Sequence, residues 1–521
     1  MSEQGYSPLV AGDTNTNTNT LPGRPSASEA TPLAELADWL GPSLLWDTVG
    51  DREANVTGIS LSTRRVQPGD LYAALPGTHA HGAAFAADAL AAGATGVLTD
   101  SEGAGLLPHD APALVVRDPR ALLGRLAAHI YGDPASAIRM IGVTGTQGKT
   151  TTTRLLEDGL TAAGIISAVV GTVGTRIAGA DIKTALTTPE APDLHGLFAL
   201  MREREVEACA MEVSSHALVL GRVDGVIFDV ATFLNLGRDH LDFHPDVESY
   251  FAAKASLFTP ERARRGLTNI DDEFGRRLLE QARIPMQTFS VLGDADWRAT
   301  DIELGGAGST FTVLGPDATR VSVRVPIPGA FNVSNALAAL AAAALAGLDV
   351  DRVAAGIGRG AGVPGRLERV DAGQDFVLVV DYAHKPDAVE AVLSTLRPLT
   401  TGQLIVVLGA GGDRDPGKRP VMGEIAARLA DVLIVTDDNP RTEDPAAIRA
   451  AVLAGTSDAT SEVVEIGDRR RAIAEACRRA APGDVVLIAG KGHETGQEIA
   501  GEMYPFDDRL VAAAVTREIT R

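Results

Sequence analysis

The chain has 521 residues, which at roughly 150 residues per domain implies three or four units, each able to bury its own core. Its 45% hydrophobic residues, 4% aromatics and 55 glycines describe globular cores built from small aliphatic side chains. Lys plus Arg number 47 against 68 Asp plus Glu, a net charge of −21 that argues against a nucleic-acid or anionic-membrane surface as partner and requires any anionic small molecule to meet a local cationic site.

Taken in chain order, residues 1–30 carry the repeat TNTNTNT (Thr14 to Thr20) among Gly, Pro and Ser, and are expected to form a disordered tail because such sequence buries too little to fold. No basic n-region and apolar h-region opens the chain. The most apolar stretch, around Ala336 to Leu345, is shorter than the ~20 residues of a membrane span. Cys209 and Cys477 stand far apart without a CxxC partner, so neither a disulfide framework nor a zinc site is expected, and the chain is read as cytoplasmic.

From Thr31 the helical pattern LAELADWLG leads into the strand-like DLYAAL (70–75) and TGVLTD (95–100), a smaller N-terminal α/β unit expected over residues 31–136. A second unit, expected over 137–364, opens with the buried-strand run IRMIGV, a glycine-rich turn and the helical TTTRLLEDGLTAAG. CAMEV (209–213) and VIFDVATFLNL (226–236) read as further buried strands, and an alanine-rich helix spans about Val333 to Leu345. GAGVPGR (360–366) has the Gly and Pro content of a linker. Over 365–521, strand and helix alternate: FVLVV, PDAVEAVLSTLR, LIVVLG, GEIAARLA, VLIVT, AAIRAAVLAG, VVEI, RRRAIAEACRRA and VVLIA. That alternation implies a parallel, doubly wound, Rossmann-like sheet. Ligands of such sheets sit outside the carboxyl ends of the strands, which nominates DYAHKPDA, GAGGDRDPGKRP, TDDNPRTEDP and GKGHETGQ as candidate sites. The expected fold is therefore α/β in three domains plus a tail.

The sharpest local signal is GVTGTQGKTTT, Gly142 to Thr152, between a strand and a helix. Its glycines let backbone N–H groups converge on phosphate, Lys149 supplies positive charge, and Thr150 offers a hydroxyl to Mg²⁺ at a helix N-terminus. The glycines are Gly142, Gly145 and Gly148, a departure from the usual P-loop spacing, which would place the first on Val143. ATP or GTP binding with Mg²⁺ follows. Glu212, at the end of CAMEV, is placed where a carboxylate can reach that cation. NLGRDHLDFH (235–244) adds Asp239, His240, Asp242 and His244; without HExxH, the flanking acids favour a hard cation over zinc. Lys254 follows on YFAAKASLF, where a lone helical lysine would ordinarily be solvated.

GTQGKTT, MEVSSHAL, NLGRDHLDFH with YFAAKASLF, FNVSNALAA, PGRLERV, VDYAHKPDA, GGDRDPGKRP, DDNPRTEDP and GKGHE, in this order, resemble the Mur ligases of peptidoglycan assembly, in the type that extends UDP-N-acetylmuramoyl-L-alanyl-D-glutamate. The resemblance covers the chain from about residue 31. It implies a UDP-binding N-terminal domain, a central ATP-binding domain and a C-terminal domain for the incoming amino acid. It also implies an ATP-dependent amide ligase that activates the γ-carboxylate of D-glutamate as an acyl phosphate, which the amine of a diamino acid then attacks. Cationic side chains and Mg²⁺ would neutralise the anions that meet there.

Residue by residue, the resemblance puts ATP on Gly145, Thr146, Gln147, Gly148, Lys149, Thr150 and Thr151, with Asn332, Asn335, Arg366 and Asp381 along the nucleotide side. Lys149, Lys254, Glu212 and His240 form the catalytic set. Metal falls to Thr150, Glu212, His240 and Lys254, the last as a CO₂-derived carbamate that replaces an ammonium with an anion. Leu61, Thr63, Thr78, His79 and Ala80 fall on the UDP-sugar, and Thr187, Thr188, Ser214 and Arg222 along the peptide arm. Gln147 stands where the family usually has asparagine, and Thr63 where serine is common. Arg414, Asp438, Asn439, Pro440, Arg441, Gly490 and Glu494 match positions for meso-diaminopimelate: planar guanidinium binds a carboxylate bidentately, and Glu494 would take the distal ammonium. The alternative for Arg441 is a surface pair with Glu443 or Asp444. A lysine-adding relative, a folylpolyglutamate synthetase-like ligase and a P-loop switch that makes no amide are the competing readings. The implied partners are ATP, the UDP-linked dipeptide and the diamino acid, without nucleic acid or membrane insertion, for an expected monomer.

Overall fold

The computed structural model describes residues 23–47, 54–237, 239–240, 243–360, 362–457 and 459–519. The first sheet has five strands in the order Leu44–Asp47, Ala113–Val116, Gly96–Thr99, Asp70–Ala73, Gly58–Ser60, parallel except for Leu44–Asp47. Helix Pro119–Ile130 lies against it through Leu122, Leu123, Leu126 and Ile130. Its start is fixed by Pro119 at the first position and by Asp118, whose side chain accepts from the Ala121 N–H.

The tail expected over residues 1–30 is corrected at its inner end. Gly23 lies on Leu197 and Ile182, and Arg24 donates to Asp70 Oδ1 at 2.5 Å and to the Ile59 carbonyl at 3.1 Å. A guanidinium with a buried carboxylate waiting for it has a reason to dock that composition does not reveal. Thr14 to Thr20 lie outside the described residues.

The second sheet has eleven strands. Seven parallel strands run in the order Ser167–Gly171, Ala208–Glu212, Arg139–Thr144, Phe228–Phe233, Ala263–Asn269, Met286–Ser290, Trp297–Gly305. A hairpin (Gly174–Ile177, Ala180–Ile182) extends one edge and the antiparallel strands Gly308–Leu314 and Arg320–Val325 extend the other. The run expected as a strand over 226–236 pairs only over Phe228–Phe233, because its last residues turn to the phosphate loop: Leu234 N–H donates to the Thr144 carbonyl and the Asn235 carbonyl accepts from Thr146 N–H. Helix Ala330–Leu345 buries every residue from Ala336 to Ala343. The small residues of the composition act here by close approach. A Cβ on Gly356, in helix Val350–Arg359, would stand 2.5 Å from the carbonyl oxygen of Gly159 in helix Lys149–Ala162.

The third sheet orders its strands Glu368–Arg369, Val377–Asp381, Val485–Ala489, Leu404–Leu408, Val432–Val435, Glu462–Glu465, all parallel but for Glu368–Arg369. Because Val485–Ala489 inserts between the first and second of the alternating strands, the segments after Asp381, Leu408, Val435 and Ala489 emerge side by side at one end. A hairpin (Gly496–Ile499, Glu502–Pro505) and a final helix, Asp508–Ile519, complete this part. Arg469 ties that helix in, donating to both carboxylate oxygens of Asp508 at 2.8 and 2.6 Å with both side chains fully buried.

Candidate active site

Strand Arg139–Thr144 delivers the chain into a loop with φ of +155° at Gly145 and +85° at Gly148, values that favour glycine, before helix Lys149–Ala162 begins. Side chains elsewhere brace this loop. Asn235 Oδ1 accepts from the Thr146 and Gln147 N–H groups at 3.1 and 2.9 Å. A Cβ on Gly148 would stand 2.4 Å from Asn335 Oδ1, so the loop rests directly on helix Ala330–Leu345. Asn335 in turn donates to Asn332 Oδ1 at 3.1 Å. Thr151 is buried on the first turn and Gln147 is exposed.

The Lys149 ammonium lies back on the loop's own carbonyls, Gly145 O at 2.7 Å and Thr146 O at 3.1 Å. Burial pushes its pKa down to about 8, against the attraction of Glu212. Lys254, on helix Val247–Ala255, is not solvated: it is 1% exposed, donates to the same Gly145 oxygen at 2.9 Å and sits 4.7 Å from the centre of the Tyr250 ring. Burial, with Lys149 as a second cause, holds its pKa well below the lysine range, which favours the neutral amine.

Glu212 is buried at the end of its strand, beside the loop strand in register Glu212 to Val143. Its oxygens accept from the Thr172 N–H at 2.8 Å and the Thr172 hydroxyl at 3.0 Å. His240, at φ +54°, keeps Nε2 3.2 Å from Asp239, and burial pulls its pKa down to about 4, so the imidazole is neutral at pH 7. His244 does not join it as a ligand pair: its Nε2 meets the Ser215 hydroxyl at 2.9 Å in the interior. Asp242 lies outside the described residues. Among the described residues no three of His, Cys, Asp and Glu cluster as a metal cage. Mg²⁺ keeps several waters and takes one or two carboxylates plus phosphate oxygens. Glu212, the Thr150 hydroxyl and a neutral His240 supply donors of that kind.

The C-terminal sheet reaches this loop. Arg366 Nη2 stands 3.3 Å from the Thr150 hydroxyl while its guanidinium lies 4.8 Å over the Tyr382 ring. Lys385, at the start of helix Pro386–Leu396, pairs with Asp239. Asp381 is a buried anchor, accepting from the Leu367 and Ala383 N–H groups at 2.7 and 2.8 Å, and so shapes the Arg366 turn from beneath.

At the adjoining strand ends, Asn439 Nδ2 donates to Glu494 Oε2 at 2.9 Å. A Cβ on Gly490 would stand 2.3 Å from Asp438 Oδ2, which explains a glycine there at φ +118°. Gly412 lets its loop press against Pro440, since a Cβ there would stand 1.9 Å from the Pro440 carbonyl oxygen. Arg441, at φ +54°, donates to the Gly412 carbonyl at 2.6 Å and lies 3.3 Å from Glu498. It pairs with neither Glu443 nor Asp444: Arg419 holds Glu443 bidentately, and Asp444 caps helix Pro445–Leu453. Arg414 is exposed on the neighbouring loop.

Comparison with known proteins decides the family. The Mur ligase middle domain matches residues 143–343, the Mur ligase glutamate ligase domain 365–492, and the Mur ligase catalytic domain 55–131. A UDP-N-acetylmuramoyl-L-alanyl-D-glutamate--2,6-diaminopimelate ligase of Streptomyces avermitilis is 56% identical over 94% of this chain and 97% of its own. The enzyme of that name from Corynebacterium glutamicum is 50% identical over 90% and 93%. The chain belongs to the Mur ligase family. A solved structure of a ligase of the same name superposes with a TM-score of 0.69 at 34% identity, covering 95% of this chain and all of the other. Mur ligases are ATP-dependent and require Mg²⁺.

The remaining expected residues of this Mur ligase lie on two stretches. Thr188 donates to the Glu212 carbonyl at 2.9 Å and lies 3.4 Å from the hydroxyl of Ser214, which caps the helix Ser215–Val219. Thr187 meets Thr172 at 3.1 Å, and Arg222 is held by Glu190 at 2.8 Å. These four therefore adjoin the Glu212 strand end. Leu61 and Thr63 follow strand Gly58–Ser60, while Thr78, His79 and Ala80 occupy an exposed loop after strand Asp70–Ala73, both strands belonging to the five-stranded sheet and not to the sheet that carries the phosphate loop. Sequence reading left out Thr172, Asn235, Tyr382, Lys385 and Lys491. Lys385 and Lys491 lie inside the quoted motifs DYAHKPDA and GKGHE, and a charged residue within a strand-end cluster was the available signal.

Proposed function

We propose that this enzyme joins meso-diaminopimelate to the γ-carboxylate of the D-glutamate of UDP-N-acetylmuramoyl-L-alanyl-D-glutamate with ATP, in the cytoplasm. The observation that supports it most is the meeting of two clusters: Arg366 and Lys385 carry the strand ends that hold Asn439, Arg441 and Glu494 up to Thr150 and Asp239 of the phosphate loop region. Two free, buried cysteines suit a reducing compartment. We assign residues 31–136 to the UDP end, 137–364 to ATP and 365–521 to the amino acid.

The γ-carboxylate oxygen attacks the γ-phosphorus of ATP, ADP leaves, and an acyl phosphate forms. The neutral amine of the diamino acid attacks its carbonyl carbon; the tetrahedral centre then collapses as the C–O bond breaks, giving amide and inorganic phosphate, with the surplus amine proton released. Thr150, Glu212 and His240 would hold Mg²⁺, whose charge would offset that of the phosphates. Lys149 leaves the Gly145 and Thr146 carbonyls for the phosphates, where its charge offsets the transferring phosphoryl group. Arg366 approaches from the opposite side and keeps Thr150 oriented.

Lys254 becomes a carbamate in this account. Its neutral amine attacks CO₂, forms the N–C bond and releases one proton, and the product is an anion beside Lys149. Buried, amine-favouring surroundings are the condition that reaction needs. Arg414 and Arg441 face the carboxylates of diaminopimelate, and Glu494 with Asp438 faces its distal ammonium. The test is ADP release measured with and without the UDP-dipeptide and diaminopimelate. ADP release that requires both, with tripeptide formed in equal amount, is expected; release indifferent to either would contradict the assignment.

A further inference from the structure

Lys491 has no place in the mechanism above, yet it is the most deeply buried ammonium near the proposed amino-acid site, at 0% exposure. It follows strand Val485–Ala489 and stands between Gly490 at φ +118° and Gly492 at φ +54°, a turn that points the side chain inward rather than along the strand. Its Nζ donates to Asn439 Oδ1 at 3.0 Å, Glu494 Oε2 at 3.1 Å and the Gly496 carbonyl at 2.6 Å. Three donors meet three acceptors, so the cost of burying an ammonium is offset by full satisfaction and one opposite charge.

Those three acceptors belong to different segments. Asn439 follows strand Val432–Val435, Glu494 lies after the GKGHE turn, and Gly496 opens the hairpin whose Glu498 N–H also binds Asn439 Oδ1, at 3.0 Å. Glu494 Oε2 already carries the Asn439 amide and the Lys491 ammonium, so one oxygen of this carboxylate is committed to the protein and its orientation is set before any ligand arrives.

We propose that Lys491 is a positioning residue for the amino-acid substrate: it fixes Glu494 and Asn439 so that the Glu494 carboxylate receives the distal ammonium of the diamino acid. This rests on the assignment of Glu494 to that ammonium.

The experiment measures KM for ATP, the UDP-dipeptide and meso-diaminopimelate, with kcat, for Lys491→Met, Glu494→Gln and the double variant. Lys491→Met is expected to raise KM for diaminopimelate at least tenfold and leave the other two within twofold. The double variant should be no worse than Glu494→Gln alone, because Lys491 acts through Glu494. An unchanged diaminopimelate KM in Lys491→Met, or fully additive losses, overturns the proposal. If Lys491→Met does not fold, Lys491→Arg decides: it keeps the buried charge but alters its reach, and a diaminopimelate KM equal to wild type overturns the proposal equally. A Glu494→Gln enzyme with normal diaminopimelate KM would instead overturn the site assignment beneath it.

Discussion

Lys149 and Lys254 donate to one and the same acceptor, the carbonyl oxygen of Gly145, at 2.7 and 2.9 Å. Burial lowers the pKa of both side chains, and the charge of Lys149 adds a repulsion that further disfavours an ammonium on Lys254. Conversion of Lys254 to an anion turns that repulsion into attraction and leaves Lys149 charged for phosphate. Lys254→Ala is therefore expected to lower kcat at least 100-fold, with part of the loss restored by formate, acetate or propionate. Intact mass of the wild-type protein should exceed the chain mass by one CO₂ in bicarbonate buffer. Absence of rescue at any carboxylate concentration would count against the carbamate.

The Lys149 pKa of about 8 makes ATP binding pH-dependent in a defined direction. The free enzyme loses this proton as pH rises through 8, whereas the triphosphate complex holds it. Binding must then take up a proton, and affinity falls as pH rises from 7.5 to 9. Calorimetry in two buffers of different ionisation enthalpy checks this. Proton uptake should grow across that range, and a flat value would show that Lys149 is not the titrating group.

Arg441 is kept by Glu498 and the Gly412 carbonyl until a substrate carboxylate competes for it. A charge-assisted hydrogen bond contributes about 1.5–3 kcal/mol, so Arg441→Ala should raise KM for meso-diaminopimelate roughly 10- to 150-fold. KM for ATP should stay within twofold. An equal rise for both substrates would indicate collapse of the loop instead.

The Arg469–Asp508 pair is sealed from solvent, and truncating one partner leaves the other charge buried alone. Arg469→Met is expected to cost about 3–5 kcal/mol in urea unfolding followed by the C-terminal domain. Replacing both residues by apolar ones of similar volume should recover most of that, and a neutral single variant would refute the reading of this pair.

Much of this was legible from the chain. The strand, GKT and helix around Lys149 announce themselves because backbone geometry and phosphate chemistry are both local. The alternation from Phe376 onward likewise yields the parallel sheet and the clusters at its strand ends. The strand Arg320–Val325 went unread, although its RVSVRV alternates exposed and buried residues along an antiparallel edge. What escaped is long-range pairing. Lys254 meets Gly145 across 109 residues, Lys385 meets Asp239 across 146, and Arg24 finds Asp70 across 46. None of these leaves a local pattern, and a helical lysine looks the same whether its helix face is solvated or turned toward a phosphate loop. Lys491 was hidden for the same reason, since it meets Asn439 across 52 residues.

The most direct test of the account is tripeptide formation by the purified full chain, with meso-diaminopimelate and L-lysine supplied in parallel under saturating ATP, Mg²⁺ and UDP-dipeptide. The arginine and carboxylate arrangement around Asn439 predicts that kcat/KM for meso-diaminopimelate exceeds that for lysine by at least 100-fold. Lysine used as well as, or better than, meso-diaminopimelate would contradict it.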